Sequence, residues 1–200
     1  MYTLINGSPK LINSNSLYFL NIVNANLERT VLYELKKDSY EDICENIKLS
    51  DTVIFAFPLY VDSPPSITLK FLDYIIDKKI DVEGKNIYII INCGFREGEQ
   101  NITGLNVMKR WCNKTKAIYK GSILIGAGEI VGKSRYKLVS KKALKKIKEF
   151  SFYVMNKKLC SDIITTMDFL NNKIYCYMAN LSWNKKGKKN KLTNQQLKIK

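Results

Sequence analysis

Two stretches constrain this chain more than any others: DTVIFAFPLY (residues 51–60) and KNIYIIINCG (residues 85–94). Each is a near-continuous apolar run of strand length, closed by proline or glycine. A strand with one wet face alternates apolar and polar residues. A strand that is apolar throughout is covered on both faces, as in the middle of a parallel sheet. Parallel neighbours need crossovers, and the flanking segments supply amphipathic helices.

Shorter strands are expected at Tyr2–Asn6, at Thr30–Leu35 and within AIYKGSILIGAG (117–128). The intervening helices are expected at Asn15–Asn26, with Leu17, Leu20, Ile22 and Val23 as its apolar stripe, and at DSYEDICENIKLS (38–50), capped by Asp38 or Ser39. Three more follow: SPPSITLKFLDYIID (63–77), with Ile67, Phe71, Leu72 and Ile75 at helical spacing; NITGLNVMKRWCNKT (101–115); and SRYKLVSKKALKKIKEFSFYVMNKK (134–158), with Leu138, Leu144, Ile147 and Phe150. The fold class is therefore α/β, a three-layer sandwich around a five-stranded parallel sheet. The alternating pattern ends near Leu159, so residues 1–158 form one domain. Residues 159–200 form a helical extension, with DIITTMDFLNNKIYCYMANLSW (162–183) helical and a basic, frayed tail. The apolar content of Asp162–Trp183 is expected to pack back on the domain or to form a subunit contact.

The formal net charge of +15 suggests a polyanion partner until it is located. Gly132–Lys148 holds eight basic residues and no acid, Asn184–Lys200 holds seven lysines and no acid, and together they account for the whole excess. The body of the domain is neutral, so these stretches read as solvated faces, with an anionic partner or the phosphates of NADPH as the alternative. Lysines without interleaved aromatics do not suit stacking on single strands, and nucleic acid is not an expected partner. No apolar run is long enough to span a bilayer and the start lacks a leader pattern, so a cytoplasmic protein without membrane insertion is expected. Five scattered cysteines with no Cys-x-x-Cys pair read as reduced thiols, with no iron–sulfur or other metal site. There is no histidine, which excludes histidine acid–base chemistry and Ser/His or Cys/His nucleophile pairs.

In an open parallel sheet, ligands bind outside the carboxyl ends of the strands, where the strand order reverses. The segments there are NGSPKLINSNS (6–16), PLYVDSPP (58–65), NCGFREGEQN (92–101) and GAGEIVGKS (126–134). The first contains neither G-x-x-x-x-G-K-[ST] nor G-x-G-x-x-G, so a triphosphate or dinucleotide cradle is not indicated. Its hydroxyls Ser8, Ser14 and Ser16, the amide of Asn15 and the N–H groups at a helix start suit a compact phosphate monoester, with Lys10 as an optional cation. The alternative is that Ser14 or Asn15 merely caps the helix.

NGSPK…NSNS, PLYVDSPPSITLKFLDYI and NCGFREGEQN together resemble the flavodoxin-like NAD(P)H-dependent FMN reductases and quinone reductases, over residues 1–150. Lys10 stands where that pattern often has arginine and Ser16 where it has threonine; a cation and a hydroxyl are kept. The resemblance implies the strand order 2-1-3-4-5 and bound FMN. Ser8, Ser14, Asn15 and Ser16 would hold the phosphate, with Pro58, Leu59, Tyr60 and Val61 along the isoalloxazine. Asn92, Cys93, Gly94 and Phe95 would border its other edge. It further implies an NAD(P)H-dependent flavin or quinone oxidoreductase, a small-molecule acceptor and a homodimer; a flavodoxin-type electron carrier or non-catalytic flavin-binding protein is the alternative.

A flat apolar ring wants an aromatic wall such as Tyr60. The charge that develops near N1 and O2 of a reduced flavin can be met by backbone N–H groups, so no titrating catalytic side chain is required. Tyr60 could equally be a rim aromatic and Gly94 a turn glycine. Cys93, at the end of a buried strand, reads as an inert small hydrophobe. Glu97 and Glu129 lie in the same loops and carry no assigned role.

Overall fold

The computed structural model describes residues 1–132, 137–167, 171–193 and 195–196, without the side chains of residues 137–139 and 172. The described chain divides into two compact units, Met1–Thr166 and Met167–Lys200. The first contains β1 (Tyr2–Asn6), α1 (Asn15–Asn24), β2 (Thr30–Glu34), α2 (Tyr40–Leu49), β3 (Thr52–Pro58), α3 (Ser66–Asp77) and β4 (Asn86–Asn92). A 3-10 turn at Gly98–Asn101 leads into α4 (Ile102–Thr115), β5 (Ile118–Ile125), the short α5 (Gly128–Val131), α6 (Lys137–Met155) and β6 (Ile163–Thr165). The second unit contains α7 (Asn172–Lys189), whose start is capped by the Asn171 side chain accepting from the Lys173 N–H at 2.9 Å.

The sheet is parallel throughout, in the order β2-β1-β3-β4-β5-β6. The expected order holds for its first five strands, and the sixth is a correction. Ile163–Thr165 pairs with Ile123–Ile125 of β5, although DIITT was expected to begin a helix. A clasp explains the strand. The Asp162 carboxylate accepts from Lys109 Nζ at 2.7 Å, from Ser122 Oγ at 2.9 Å and from the Tyr119 hydroxyl, which ties the start of β6 to α4 and β5. Those three donors, with the Lys109 charge, hold Asp162 below the usual carboxylate range although burial pushes it up.

β5 also bulges. Ile87 faces Tyr119 while Tyr88 faces Gly121, so Lys120 is the extra residue, and its carbonyl accepts the Cys160 N–H at 2.7 Å. Gly121 sits at φ +141°, and a Cβ there would lie 2.6 Å from the Cys160 carbonyl oxygen. Only glycine fits.

β3 and β4 are buried on both faces, as their apolar runs require. One face packs Ile5, Phe55, Ile89 and Ile91 against Ile43, Ile47, Phe71, Leu105 and Met108 from α2, α3 and α4. On the other, Tyr88 meets Phe150 of α6 edge-on at 6.0 Å. The buried face of α1 is Ser16, Phe19, Leu20 and Val23, an i, i+3, i+4, i+7 set; Leu17 and Ile22 only flank it. In α6, Ile147 and Phe150 are buried and Leu144 partly so, while the side chain of Leu138 lies outside the described residues. Lys133–Tyr136 of the basic stretch also lie outside them. Among the described residues no helix is long and apolar enough to cross a membrane.

Candidate functional site

The strand order reverses between β1 and β3, so the loops leaving these two strands part at their carboxyl ends, the place where an open parallel sheet receives a ligand. Register brings the ends level: Asn6 lies opposite Ala56, Pro58 opposite Asn92 and Asn92 opposite Ile125.

The first loop is held from below. The Gly7 N–H donates to the Ala56 carbonyl at 2.8 Å, and Thr68 Oγ1 on α3 donates to the Gly7 carbonyl at 3.1 Å. A Cβ on residue 7 would meet Thr68 Oγ1 at 2.2 Å, so this approach requires glycine. Asn6 is fully buried and serves three partners: its Oδ1 accepts the Ser8 N–H at 3.2 Å, and its Nδ2 donates to Ser14 Oγ at 3.4 Å and to Glu34 Oε2 at 3.0 Å.

Ser8, Ser14 and Ser16 are all buried, and each hydroxyl oxygen accepts from the protein. Ser8 takes the Lys10 N–H at 3.3 Å, Ser14 caps α1 by taking the Leu17 N–H at 3.1 Å, and Ser16 takes Asn92 Nδ2 at 2.8 Å. A hydroxyl whose oxygen is occupied still has its proton to give. No described residue accepts from the backbone N–H groups of Leu11 to Ser16. Three hydroxyl donors beside a helix start with unclaimed N–H groups are the chemistry that a phosphate asks for, so the residues fit the phosphate end of FMN. Asn15 is half-buried at the first helical position. Lys10 is exposed and turns back to donate to the Asn13 carbonyl at 3.0 Å, which braces the loop.

The second loop is pinned by the Leu59 N–H donating to the Asn92 carbonyl at 2.8 Å. Pro58 is half-buried, and Leu59 is buried with its side chain toward Gly104 of α4. Tyr60 and Ser63 exchange backbone hydrogen bonds of 2.9 and 3.1 Å around Val61 and Asp62, at φ +48° and +57°. This tight turn normally takes asparagine and glycine; a fully exposed β-branched residue there is strained. Tyr60 is half-exposed beside it.

From the third loop, Asn92 is the linchpin. Besides Ser16 it donates to the Phe57 carbonyl at 3.2 Å, so one buried amide joins β4, α1 and the end of β3. Cys93 is fixed to the β5 end, its N–H on the Ile125 carbonyl at 3.0 Å and its carbonyl accepting from Gly128 at 2.8 Å. Burial pushes its thiol up to about 11, outweighing hydrogen bonds that lower it, which suits an inert thiol. Gly94 and Phe95 are exposed on the loop beyond. Glu97 pairs with Arg96 at 2.7 Å.

Hydrogen bonds thus connect Ser16, Asn92 and Leu59 directly, and Ser8 and Ser14 through Asn6. Tyr60, Val61, Gly94 and Phe95 sit at exposed loop positions around them, and Asn15 at the helix start. Three contributors escaped the sequence reading: Asn6, Thr68 and the Glu34–Lys36 pair at the end of β2. Asn6 precedes Gly7 in a motif whose serines carry the visible phosphate chemistry. Thr68 looks like a neutral residue in an amphipathic helix. Glu34 and Lys36 look like ordinary surface charges at a strand end, yet their side chains are 13% and 7% exposed.

No family model matches the sequence, and no curated protein matches it significantly. Solved structures do match in fold. A NADPH-quinone reductase from P. pentosaceus is 19% identical with a TM-score of 0.59, covering 76% of this chain and 97% of its own. An FMN-dependent NADH-azoreductase from Bacillus anthracis, solved in complex with FMN, is 14% identical with a TM-score of 0.59, covering 78% and 99%. A flavodoxin from Streptococcus pneumonia TIGR4 is 15% identical with a TM-score of 0.59, again covering 78% and 99%.

Proposed function

We propose that this chain, which has the flavodoxin-like fold, is an FMN-dependent oxidoreductase that passes a hydride from NAD(P)H to a small acceptor such as a quinone, nitroaromatic, azo compound or free flavin. The observation that carries the proposal is the donor set of the first loop: three buried hydroxyls with occupied oxygens, beside backbone N–H groups that no described residue claims. That set suits a phosphate ester held without a metal ion.

When bound, FMN supplies a ring that accepts and returns two electrons. The chain's residues do the rest. Ser8, Ser14 and Ser16 would donate to the phosphate, with Asn15 beside them at the helix start. Asn92 holds Ser16 and the β3 end in register. Tyr60 and Phe95, both exposed on their loops, would wall the ring and keep water from one side of it. One open crevice receives nicotinamide and acceptor in turn, which predicts ping-pong kinetics. The protein is further proposed to work in the cytoplasm without nucleic acid or membrane insertion, and as a homodimer. α7 supports the dimer by presenting exposed Ile174, Tyr177, Met178 and Leu181 at helical spacing.

The match to a flavodoxin favours a second reading, an electron carrier on the same fold. Steady-state oxidation of NADH or NADPH by the FMN-loaded protein with a small quinone decides between them. Parallel double-reciprocal lines support the reductase. Oxidation only after a separate reductase is added supports the carrier.

A further inference from the structure

Lys36 lies on the segment after β2, outside every loop that the sequence singles out. Its side chain is nevertheless 7% exposed, and its ammonium is shared between Glu34 Oε2, at 3.4 Å, and the backbone carbonyl of Lys10 in the first loop. A buried ammonium is costly unless its protons are spoken for, so this is a specific placement. The Glu34 carboxylate that holds it also accepts from Asn6 Nδ2 at 3.0 Å, and Asn6 in turn binds the Ser8 N–H and Ser14 Oγ. One network therefore runs from the end of β2 to both ends of the first loop.

The contact with the Lys10 carbonyl has a geometric consequence. In a trans peptide the C=O and N–H point in opposite directions. Fixing the Lys10 carbonyl on Lys36 turns the Leu11 N–H the other way, and fixing the Asn13 carbonyl on the Lys10 ammonium does the same for the Ser14 N–H. No described residue accepts from either N–H. Two lysines thus hold carbonyls that would otherwise repel an anion, and they leave the paired N–H groups free to receive one.

We propose that Lys36, seated by Glu34, is the positioning residue that presents the first-loop N–H groups to the ligand's phosphate and so makes the site select FMN over its dephosphorylated form, riboflavin; this rests on the FMN reading above. Lys36 acts through the Lys10–Leu11 peptide, so its removal weakens binding of the phosphate and leaves binding of the ring alone.

The test measures FMN and riboflavin dissociation constants by flavin fluorescence, and the rise in melting temperature given by inorganic phosphate. It compares the wild type with Lys36→Met, Lys36→Arg and the neutral pair Glu34→Gln/Lys36→Met, which removes both charges together and keeps the fold if the single variant does not. The expected result for Lys36→Met and for the pair is an FMN dissociation constant raised about tenfold or more, as loss of a charge-assisted contact implies. Riboflavin affinity should stay within about twofold and the phosphate-induced rise in melting temperature should be lost, with most of both phosphate effects recovered in Lys36→Arg. Equal weakening of FMN and riboflavin, or no weakening of either, overturns the proposal. If the wild type responds to phosphate but takes no FMN, the flavin reading fails while Lys36 is still judged by whether its variants lose the phosphate response. A wild type that answers to neither overturns both.

Discussion

Gly7→Ala is the sharpest probe of how the first loop is held. An alanine Cβ at position 7 would lie 2.2 Å from Thr68 Oγ1, more than an ångström inside ordinary contact, and 3.2 Å from Phe57 Cβ. Thr68 must rotate, which breaks its 3.1 Å bond to the Gly7 carbonyl. The lost hydrogen bond costs about 1 kcal/mol, and the overpacking against buried neighbours adds about 1–3 kcal/mol, for a destabilisation of about 2–4 kcal/mol. Thr68→Ala alone forfeits the hydrogen bond and leaves the carbonyl unpaired, for about 1–3 kcal/mol. With Oγ1 gone, the methyl added at position 7 meets only the Phe57 Cβ at 3.2 Å and the Cβ of residue 68 at 3.4 Å, so Gly7→Ala should cost under about 1 kcal/mol in the Thr68→Ala background. Urea unfolding of the four proteins, read as midpoint shifts at constant m-value, gives the cycle. A Gly7→Ala penalty of the same size in both backgrounds would refute the reasoning, because the clash with Oγ1 would then not be its source.

Three other outcomes follow from the same structure. Asp162 is held below its ordinary range, so the stability it contributes is complete above the unfolded-state carboxylate pKa and lost as pH falls through its folded value. Asp162→Asn should lower the melting temperature at neutral pH and flatten its acid slope, and an unchanged slope would remove the clasp from the account of β6. Of the five cysteines, Cys44, Cys93, Cys112 and Cys160 are buried and Cys176 exposed, so a thiol reagent should titrate one sulfur quickly in the native protein and the rest only on unfolding. Fast modification of Cys93, whose thiol burial pushes up to about 11, would contradict its assignment as an inert thiol. Tyr60→Ala should weaken FMN binding by about three- to tenfold through lost ring contact, without the phosphate selectivity that Lys36 confers. An unchanged FMN titration would take Tyr60 out of the site.

The middle of the fold was legible because burial on both faces leaves a mark in sequence. TVIFAFP and NIYIIIN are apolar almost from end to end, and they are β3 and β4. β6 leaves no such mark. It is three residues long and owes its place to Asp162 reaching Tyr119 and Ser122, a pairing some 40 residues apart in the chain. The candidate site divides the same way. Ser8, Ser14 and Ser16 were visible because hydroxyls crowd a strand-to-helix loop, where a helix start leaves N–H groups to satisfy. Asn6, Glu34 and Lys36 were not, because their roles come from burial of polar groups against that loop, which tertiary packing alone determines. Proximity in sequence offers Lys10 as an optional cation, whereas the little-exposed ammonium on the Lys10 carbonyl belongs to Lys36, 26 residues away.

The central claim is that the crevice between β1 and β3 binds FMN by its phosphate. Purified protein mixed with excess FMN and passed through a desalting column tests it most directly, read as the visible spectrum and flavin content of the protein fraction. The account predicts a yellow protein carrying one FMN per chain, with the flavin displaced only slowly and riboflavin retained far less. A protein fraction that emerges colourless after FMN loading would contradict it.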